Sequence, residues 1–189
     1  VDARAVMPTP GVKYYYLSLE DIESDTGRIL KSPEVLTDGV EIKSTKYVFT
    51  ANHVLYGRLR PYLNKVALPS RDGICSTDIL PLLPNTRLIL REYLAYVLLH
   101  QRFVEYATAR MKGTNHPRIK SQDVLDYRFP LPPIEEQQKI VQILSTISNW
   151  VEVEKIRKNK LENIKNNLME LLLTGTVRVV VEKEYESAG

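Results

Sequence analysis

Two short stretches of this chain concentrate hydrogen-bonding side chains with no acid among them. "YGRLRPYLNK", from Tyr56 to Lys65, places Arg58 and Arg60 two residues apart, hence on one face of an extended backbone, with Tyr56 and Tyr62 close by. "KGTNHPRIK", from Lys112 to Lys120, supplies a second set of donors around Asn115, His116 and Arg118. Guanidinium forks, amides and hydroxyls on loops can take base edges, while lysines and backbone amides hold phosphates. The chemistry these residues suit is recognition of a polyanion rather than the making or breaking of bonds. The wider segments Ile42–Arg71 and Tyr106–Gln122 are likewise basic and free of acids. Charge alone leaves two readings for them, a phosphate-binding face or ordinary solvated loops.

Residues for catalysis do not assemble. There is no Gly-rich loop of the Walker type and no G-x-G-x-x-G, which leaves nucleotide hydrolysis and a dinucleotide site unsupported. His53, His100 and His116 are not paired with Glu at helical spacing, and Cys75 is the single cysteine. A metal centre or a nucleophilic triad is therefore not expected, and no cofactor is called for. His53 and His100 read as packed or surface side chains, His116 as a member of the basic loop, and Cys75 as a small buried apolar group. Asp78 reads as a turn or capping residue more readily than as a lone general base.

The elements that must position the basic loops fall into three parts. From Tyr14 to Pro84, "KYYYLSLE", "SDTGRIL", "KYVFT", "HVLYG", "NKVAL" and "DILPLL" are short β-prone runs broken by turn residues, which predicts a twisted irregular sheet or partial barrel. Apolar residues then recur at three and four, predicting one or two helices between Arg91 and Arg110. Gly113–Pro117 reads as a loop, Ser121 as the N-cap of a short turn, and "YRFPLP" as a last strand forced to an edge by its prolines.

The third part is a long helix. Pro132 and Pro133 suit its N-terminus, Glu135 and Glu136 complement the positive end of its dipole, and Thr174-Gly175 stops it. From Ile134 to Leu173 it would run about 60 Å at about 1.5 Å per residue. Ile140, Leu144, Ile147 and Val151 form an apolar stripe that Leu161, Ile164, Leu168 and Leu172 resume after a polar middle, which predicts an interrupted coiled-coil seam. The competing reading is a hairpin broken near Asn149 and Trp150. The expected organisation is α+β: residues 1–133 as a recognition domain with an irregular sheet and short helices, 134–175 as a coiled-coil-forming helix, and 176–189 as a C-terminal strand or tail.

The 189 residues are 43% apolar, enough for one or two compact units. The net charge of +3 is unevenly placed, since residues 1–133 hold 18 Lys/Arg against 14 Asp/Glu and the helix is balanced. Apolar runs of four or five residues predict a soluble protein without a membrane span. One cysteine and no signal peptide fit a reducing cytoplasm, and a start at Val1 suggests a trimmed or fragmentary N-terminus.

Taken in order, "GRLRPYLNKV", "GICSTDILPL", "GTNHPRI", "FPLPPIEEQQKIVQILSTI" and "LMELLLTGTVRV" resemble the specificity subunits of type I restriction-modification systems, over most of the chain from Tyr14 to Val179. The match is to one target-recognition domain and one helix, where a full subunit resembles two such halves in tandem. The resemblance implies a non-catalytic protein that reads half of a split site in double-stranded DNA. Its implied partners are DNA adenine methyltransferase subunits and a restriction motor subunit, with the helix as spacer and as the contact of a homodimer. It also implies DNA contacts at Arg58, Arg60, Tyr62 and Lys65, at Ser76, Thr77 and Asp78, and at Lys112, Thr114, Asn115, His116 and Arg118. Some of these are expected to be structural: Pro61 and Leu63 to shape a turn, Gly113 to permit an unusual backbone angle, and Asp78 to orient Arg60.

Three other classes compete. A stand-alone DNA-binding regulator would use the same loops without a methyltransferase, and would tolerate loss of apolar positions on the helix. A methyltransferase with its own recognition domain would need an Asn/Asp-Pro-Pro-aromatic motif, but Pro132-Pro133 stand between Leu131 and Ile134. A protein-binding adaptor would show weak or salt-independent affinity for duplex DNA.

Overall fold

A computed structural model of the chain describes residues 4–9, 12–30, 35–36 and 44–179. The chain divides into two compact units, residues 1–143 and 144–189.

The first unit carries two sheets. Strands β1 (Ala5–Val6), β2 (Tyr14–Leu17), β3 (Val35–Leu36), β4 (Lys46–Phe49) and β7 (Gly73–Cys75) form a five-stranded sheet in the order β1-β4-β7-β2-β3. Its pairs are antiparallel except β2 and β7, which run parallel with Tyr16 opposite Ile74 and Leu17 opposite Cys75. Strands β5 (Val54–Gly57), β6 (Val66–Ala67) and β8 (Ile79–Leu82) form an antiparallel sheet in the order β6-β5-β8. The expected irregular sheet is thus two sheets. β7 carries no alternating signal because it is three residues long and opens on Gly73, where any Cβ would collide with the carbonyl oxygen and ring of Tyr15.

Helices α1 (Arg91–Leu99), α2 (Gln101–Arg110) and α3 (Ser121–Leu125) cover the smaller sheet. Tyr56, Val66, Leu80, Leu98, Phe103 and Ile119 are the centre of that core, while Leu17, Phe49, Leu55, Cys75 and Ile79 fill a second cluster on the larger sheet. β5 serves both, because its alternating side chains point to opposite faces: Val54 and Tyr56 enter one cluster, Leu55 the other. Full burial of such a side chain contributes about 1.5–3 kcal/mol. The break between α1 and α2 is His100, whose backbone is extended and whose Nδ1 accepts the amide of Arg102 at 3.1 Å, so it is a helix cap. His53 closes a tight turn, its Nδ1 accepting the amide of Thr50 at 3.0 Å.

Three expectations are corrected. "SDTGRIL" makes isolated bridges, Ile22 to Ile29 and Ser24 to Lys65, around a tight turn with positive φ at Asp25 and Gly27, instead of a strand. Ser121 is the first residue of α3 and Lys120 the cap position. "YRFPLP" is not a strand: its prolines lack the amides a ladder needs, and side chains hold it instead. The Tyr93 hydroxyl donates to the Pro130 carbonyl at 3.0 Å, and Tyr127 packs edge-on to Phe103 with ring centroids 4.9 Å apart.

Helix α4 runs unbroken over Ile134–Leu173, which removes the hairpin alternative. Its start is fastened by Gln137, which is wholly buried: Oε1 accepts the Leu90 amide at 2.9 Å, and Nε2 donates to the carbonyls of Leu88 at 2.9 Å and Pro132 at 2.8 Å. At its end Gly175 takes φ +74 and donates to Leu172, the turn the Thr-Gly pair predicts. The predicted C-terminal strand lies mostly in 180–189, outside the described residues, and 176–179 form none. Among the described residues no helix is long and apolar enough to cross a membrane.

Candidate nucleic-acid interface

Where β5 ends at Gly57, the backbone of Arg58 to Arg60 threads between two other loops. The Arg58 amide donates to the Asp78 carbonyl at 2.8 Å, its carbonyl accepts from Ile119 at 3.1 Å, and the Arg60 amide donates to Pro117 at 2.8 Å. Lys112 and Arg118 exchange both backbone hydrogen bonds at 2.9 Å, which closes residues 112–118 into a loop. Gly113 there takes φ +105, with the His116 carbonyl 3.3 Å from where a Cβ would sit, so the expected need for glycine holds. The segments around Arg58, Asp78 and Arg118, distant in sequence, thus share one junction.

Two devices stiffen it. The Arg118 guanidinium closes on Asp78, Nε to Oδ1 at 2.6 Å and Nη2 to Oδ2 at 3.2 Å, while Nη1 reaches the His116 carbonyl at 3.3 Å. The hydrogen bond to Asp78 is the main cause that raises the Arg118 pKa above its ordinary value. Asp78 therefore orients Arg118, not Arg60 as expected, because Arg60 leaves the extended conformation. Its φ of 51° and that of 46° at Asn64 bracket the turn Pro61–Leu63 in left-handed backbone, so Arg58 and Arg60 do not share an extended face. The Asn64 amide group donates to Asp25 and to the Leu99 carbonyl, both at 2.9 Å, which ties this strained turn to the domain.

The twelve predicted contact residues then separate by environment. Arg60, Tyr62, Thr77, Lys112, Thr114, Asn115 and His116 are exposed. The Arg60 guanidinium reaches the Asn115 carbonyl at 3.5 Å, and Tyr62 stands 47% exposed at the tip of its turn. Arg58, Ser76, Asp78 and Arg118 are half-buried at the junction. The Ser76 hydroxyl accepts the Asp78 amide at 3.3 Å and its carbonyl the Ile79 amide at 2.9 Å. Lys65 stands apart: its ammonium group donates to the Leu19 carbonyl at 2.6 Å, which commits it to the scaffold.

Other basic residues are also committed. The Arg71 guanidinium lies 4.0 Å from the Tyr15 ring centroid and that of Arg110 3.7 Å from Tyr106. The Arg110 pair has a sequence signal, four residues apart on a helix; the Arg71 pair, 56 positions apart, has none. Lys43 of the first basic stretch lies outside the described residues. Asn64 and Gln137 are residues that sequence reasoning passed over as anchors, although Gln137 sits within the quoted helix start. Among the described residues no cluster of His, Cys, Asp or Glu could hold a metal ion. Cys75 is fully buried, and burial pushes its thiol up to about 12.

Loops of exposed hydrogen-bonding side chains are thus mounted on two sheets and followed in sequence by one long helix. The family model described as "Type I restriction modification DNA specificity domain" matches residues 11–163. The chain belongs to that family. It is 32% identical over 164 residues to the type I restriction enzyme EcoDI specificity subunit of Escherichia coli, covering 86% of this chain and 36% of that protein. To the MjaVIII specificity subunit of Methanocaldococcus jannaschii it is 34% identical over 89 residues, 47% of this chain and 21% of that one. Among solved structures, a chain from a study of complex assembly and conformational transition in a type I R-M system superposes with a TM-score of 0.68 at 25% identity, covering 89% of this chain and 47% of the other. The HsdS subunit from Thermoanaerobacter tengcongensis shares the fold with a TM-score of 0.66 at 24% identity, over 90% of this chain and 47% of that one. The chain thus spans less than half the length of each of these proteins.

Proposed function

We propose that this chain is a non-catalytic specificity module that reads one half-site in duplex DNA. Residues 1–133 act as the recognition domain, 134–175 as a spacer and pairing helix, and 176–189 as a tail. In this reading the module serves a type I restriction-modification complex, placing DNA adenine methyltransferase and restriction motor subunits on the site and itself needing no cofactor. Arg60 and Lys112 contact phosphates, and Thr77, Thr114, Asn115 and His116 face base edges. Tyr62 packs against sugar or base, and Asp78, Arg118, Ser76 and Lys65 hold the loops in place. The observation that supports it is the junction where Arg58–Arg60, Asp78 and Lys112–Arg118 meet, because it presents uncommitted donors from three loops on a fixed frame.

The test is fluorescence anisotropy of a mixed-sequence duplex titrated with the chain across a salt series. Binding that weakens steeply with salt is the expected result, since phosphate contacts release counterions. Affinity that does not change with salt, or none even at low salt with methyltransferase added, sinks the DNA-reading role in favour of a protein adaptor.

A further inference from the structure

We infer that Lys46 is a further phosphate contact of the DNA-reading face and that Tyr16 is its positioning residue, so that this face extends from the loop junction onto the outer side of the five-stranded sheet. The inference rests on the DNA-reading role proposed above and adds two residues of that sheet to it. The strand register puts them there. Tyr15, Leu17, Tyr47, Phe49 and Cys75 all turn into the core cluster on the larger sheet. Side chains alternate along a strand, so Tyr16, Lys46, Val48 and Ile74 stand on the opposite side. Tyr16 pairs with Ile74 on β7, Val48 pairs with the same residue from β4, and continuing the β4–β7 register by one residue sets Lys46 beside Ser76. The Ser76 amide, donating to the Leu17 carbonyl at 3.0 Å, carries the alignment past the end of β7. Lys46 therefore lies where the turn Ser76–Asp78 leaves the sheet, next to the exposed Thr77.

Two contacts hold the Lys46 ammonium group. It donates to the Ser44 hydroxyl at 2.7 Å, and it lies over the Tyr16 ring, 5.3 Å from the centroid. Among the described residues no acid forms an ion pair with it. The carboxylates near Tyr16 are engaged elsewhere: Asp78 holds the Arg118 guanidinium, and Asp21 accepts the Ser18 amide at 2.8 Å and the Ser18 hydroxyl at 2.7 Å. Their influence still reaches the phenol, whose pKa is raised by burial first and then by Cys75, Asp21 and Asp78, against a lowering by the Ser76 side chain. The polar end of Tyr16 thus belongs to the same turn. Lys65, from the same basic stretch, is the contrast, because its ammonium is committed to the Leu19 carbonyl. A cation steadied on an aromatic face, with its charge not neutralised, beside loops that present donors to a duplex, suits a phosphate oxygen.

The test is fluorescence anisotropy of the full chain on a mixed-sequence duplex across the salt series, with urea unfolding of each variant alongside. Lys46→Gln should weaken binding about fivefold to tenfold at about 0.1 M salt and make the salt slope shallower by about 0.9, whereas Lys46→Arg should keep the wild-type slope. Lys160→Gln, which removes the same charge from α4, should leave the slope unchanged. Tyr16→Phe keeps the ring and should bind as wild type. Tyr16→Leu removes the platform and should weaken binding about threefold in the wild-type background but hardly at all in Lys46→Gln, a coupling that a merely structural role of Tyr16 does not produce. A wild-type slope in Lys46→Gln, while Lys112→Ala lowers its own, would overturn the inference and leave DNA reading intact. Equal losses for Lys46→Gln and Lys160→Gln would overturn it as well, by reducing the effect to net charge. Salt-independent binding by the wild-type chain removes both readings together.

Discussion

Arg118 and Asp78, 40 residues apart, meet in a two-point ion pair of 2.6 and 3.2 Å that joins the loop 112–118 to the turn before β8. It sits at the edge of the surface, with 41% and 22% of the two side chains exposed, so solvent screening limits its worth. Asp78→Ala should cost about 1–2 kcal/mol in urea unfolding, and a double-mutant cycle with Arg118→Ala should return a coupling of about 1 kcal/mol. Additive losses would show that the backbone bonds alone hold the junction.

The exposed donors should separate into two kinds. Lys112→Ala is expected to weaken binding to all duplexes alike and to lower the salt slope by about 0.9, the loss of one phosphate contact. Asn115→Ala should cost about 1–3 kcal/mol on the cognate half-site and almost nothing on an unrelated one, with the slope unchanged. Anisotropy on the two duplexes distinguishes them, and equal losses at Asn115 on both would remove it from the base readers.

Gln137 holds the start of α4 through three hydrogen bonds while fully buried. Gln137→Leu keeps the volume but strands the Leu90 amide and two carbonyls, so it should lower stability by about 2–4 kcal/mol in denaturant unfolding. Gln137→Glu should cost at least as much, since a buried carboxylate would keep the Leu90 bond but set its second oxygen against the Leu88 and Pro132 carbonyls. A loss below about 0.5 kcal/mol would mean that water replaces the clamp.

Cys75 makes the folded protein sensitive to alkali. Its thiol ionises near 9.0 when free and is pushed up to about 12 by burial, so between those values the unfolded chain releases a proton that the folded one keeps. The stability that Cys75 contributes is full below about pH 9 and should fall as pH rises, at up to about 1.4 kcal/mol per pH unit. Tyr56, whose pKa burial also raises above its ordinary value of 10.0, adds to the decline at higher pH. Cys75→Ala should flatten the slope between pH 9 and 10 in denaturant titrations, and an unchanged slope would place the alkaline loss elsewhere. At pH 8 a thiol reagent should label the native chain only as fast as it unfolds.

Much of this protein follows from local sequence. The long helix declares itself through its prolines, first-turn glutamates and Thr-Gly stop, since capping and dipole effects act within a turn or two. The helices between Arg91 and Arg110, the burial of Cys75 and the need for glycine at position 113 are of the same kind, each a property of spacing or of one residue's conformational freedom. The basic loops, too, are visible as composition.

What those loops do with their charges was decided by the fold. No local rule says that Arg118 would spend its fork on Asp78, that Lys65 would donate to Leu19, or that Arg71 would lie over Tyr15, because each partner comes from a separate part of the chain. Nor does a β-propensity scale see β7, a three-residue strand paired with β2 and β4 whose first position has room for glycine alone beside Tyr15. Hydrophobic period and turn chemistry are written along the chain and can be read from it. The division of the basic residues into scaffold and exposed donors depends on which distant groups burial brings within about 3 Å, and only the tertiary structure sets that distance.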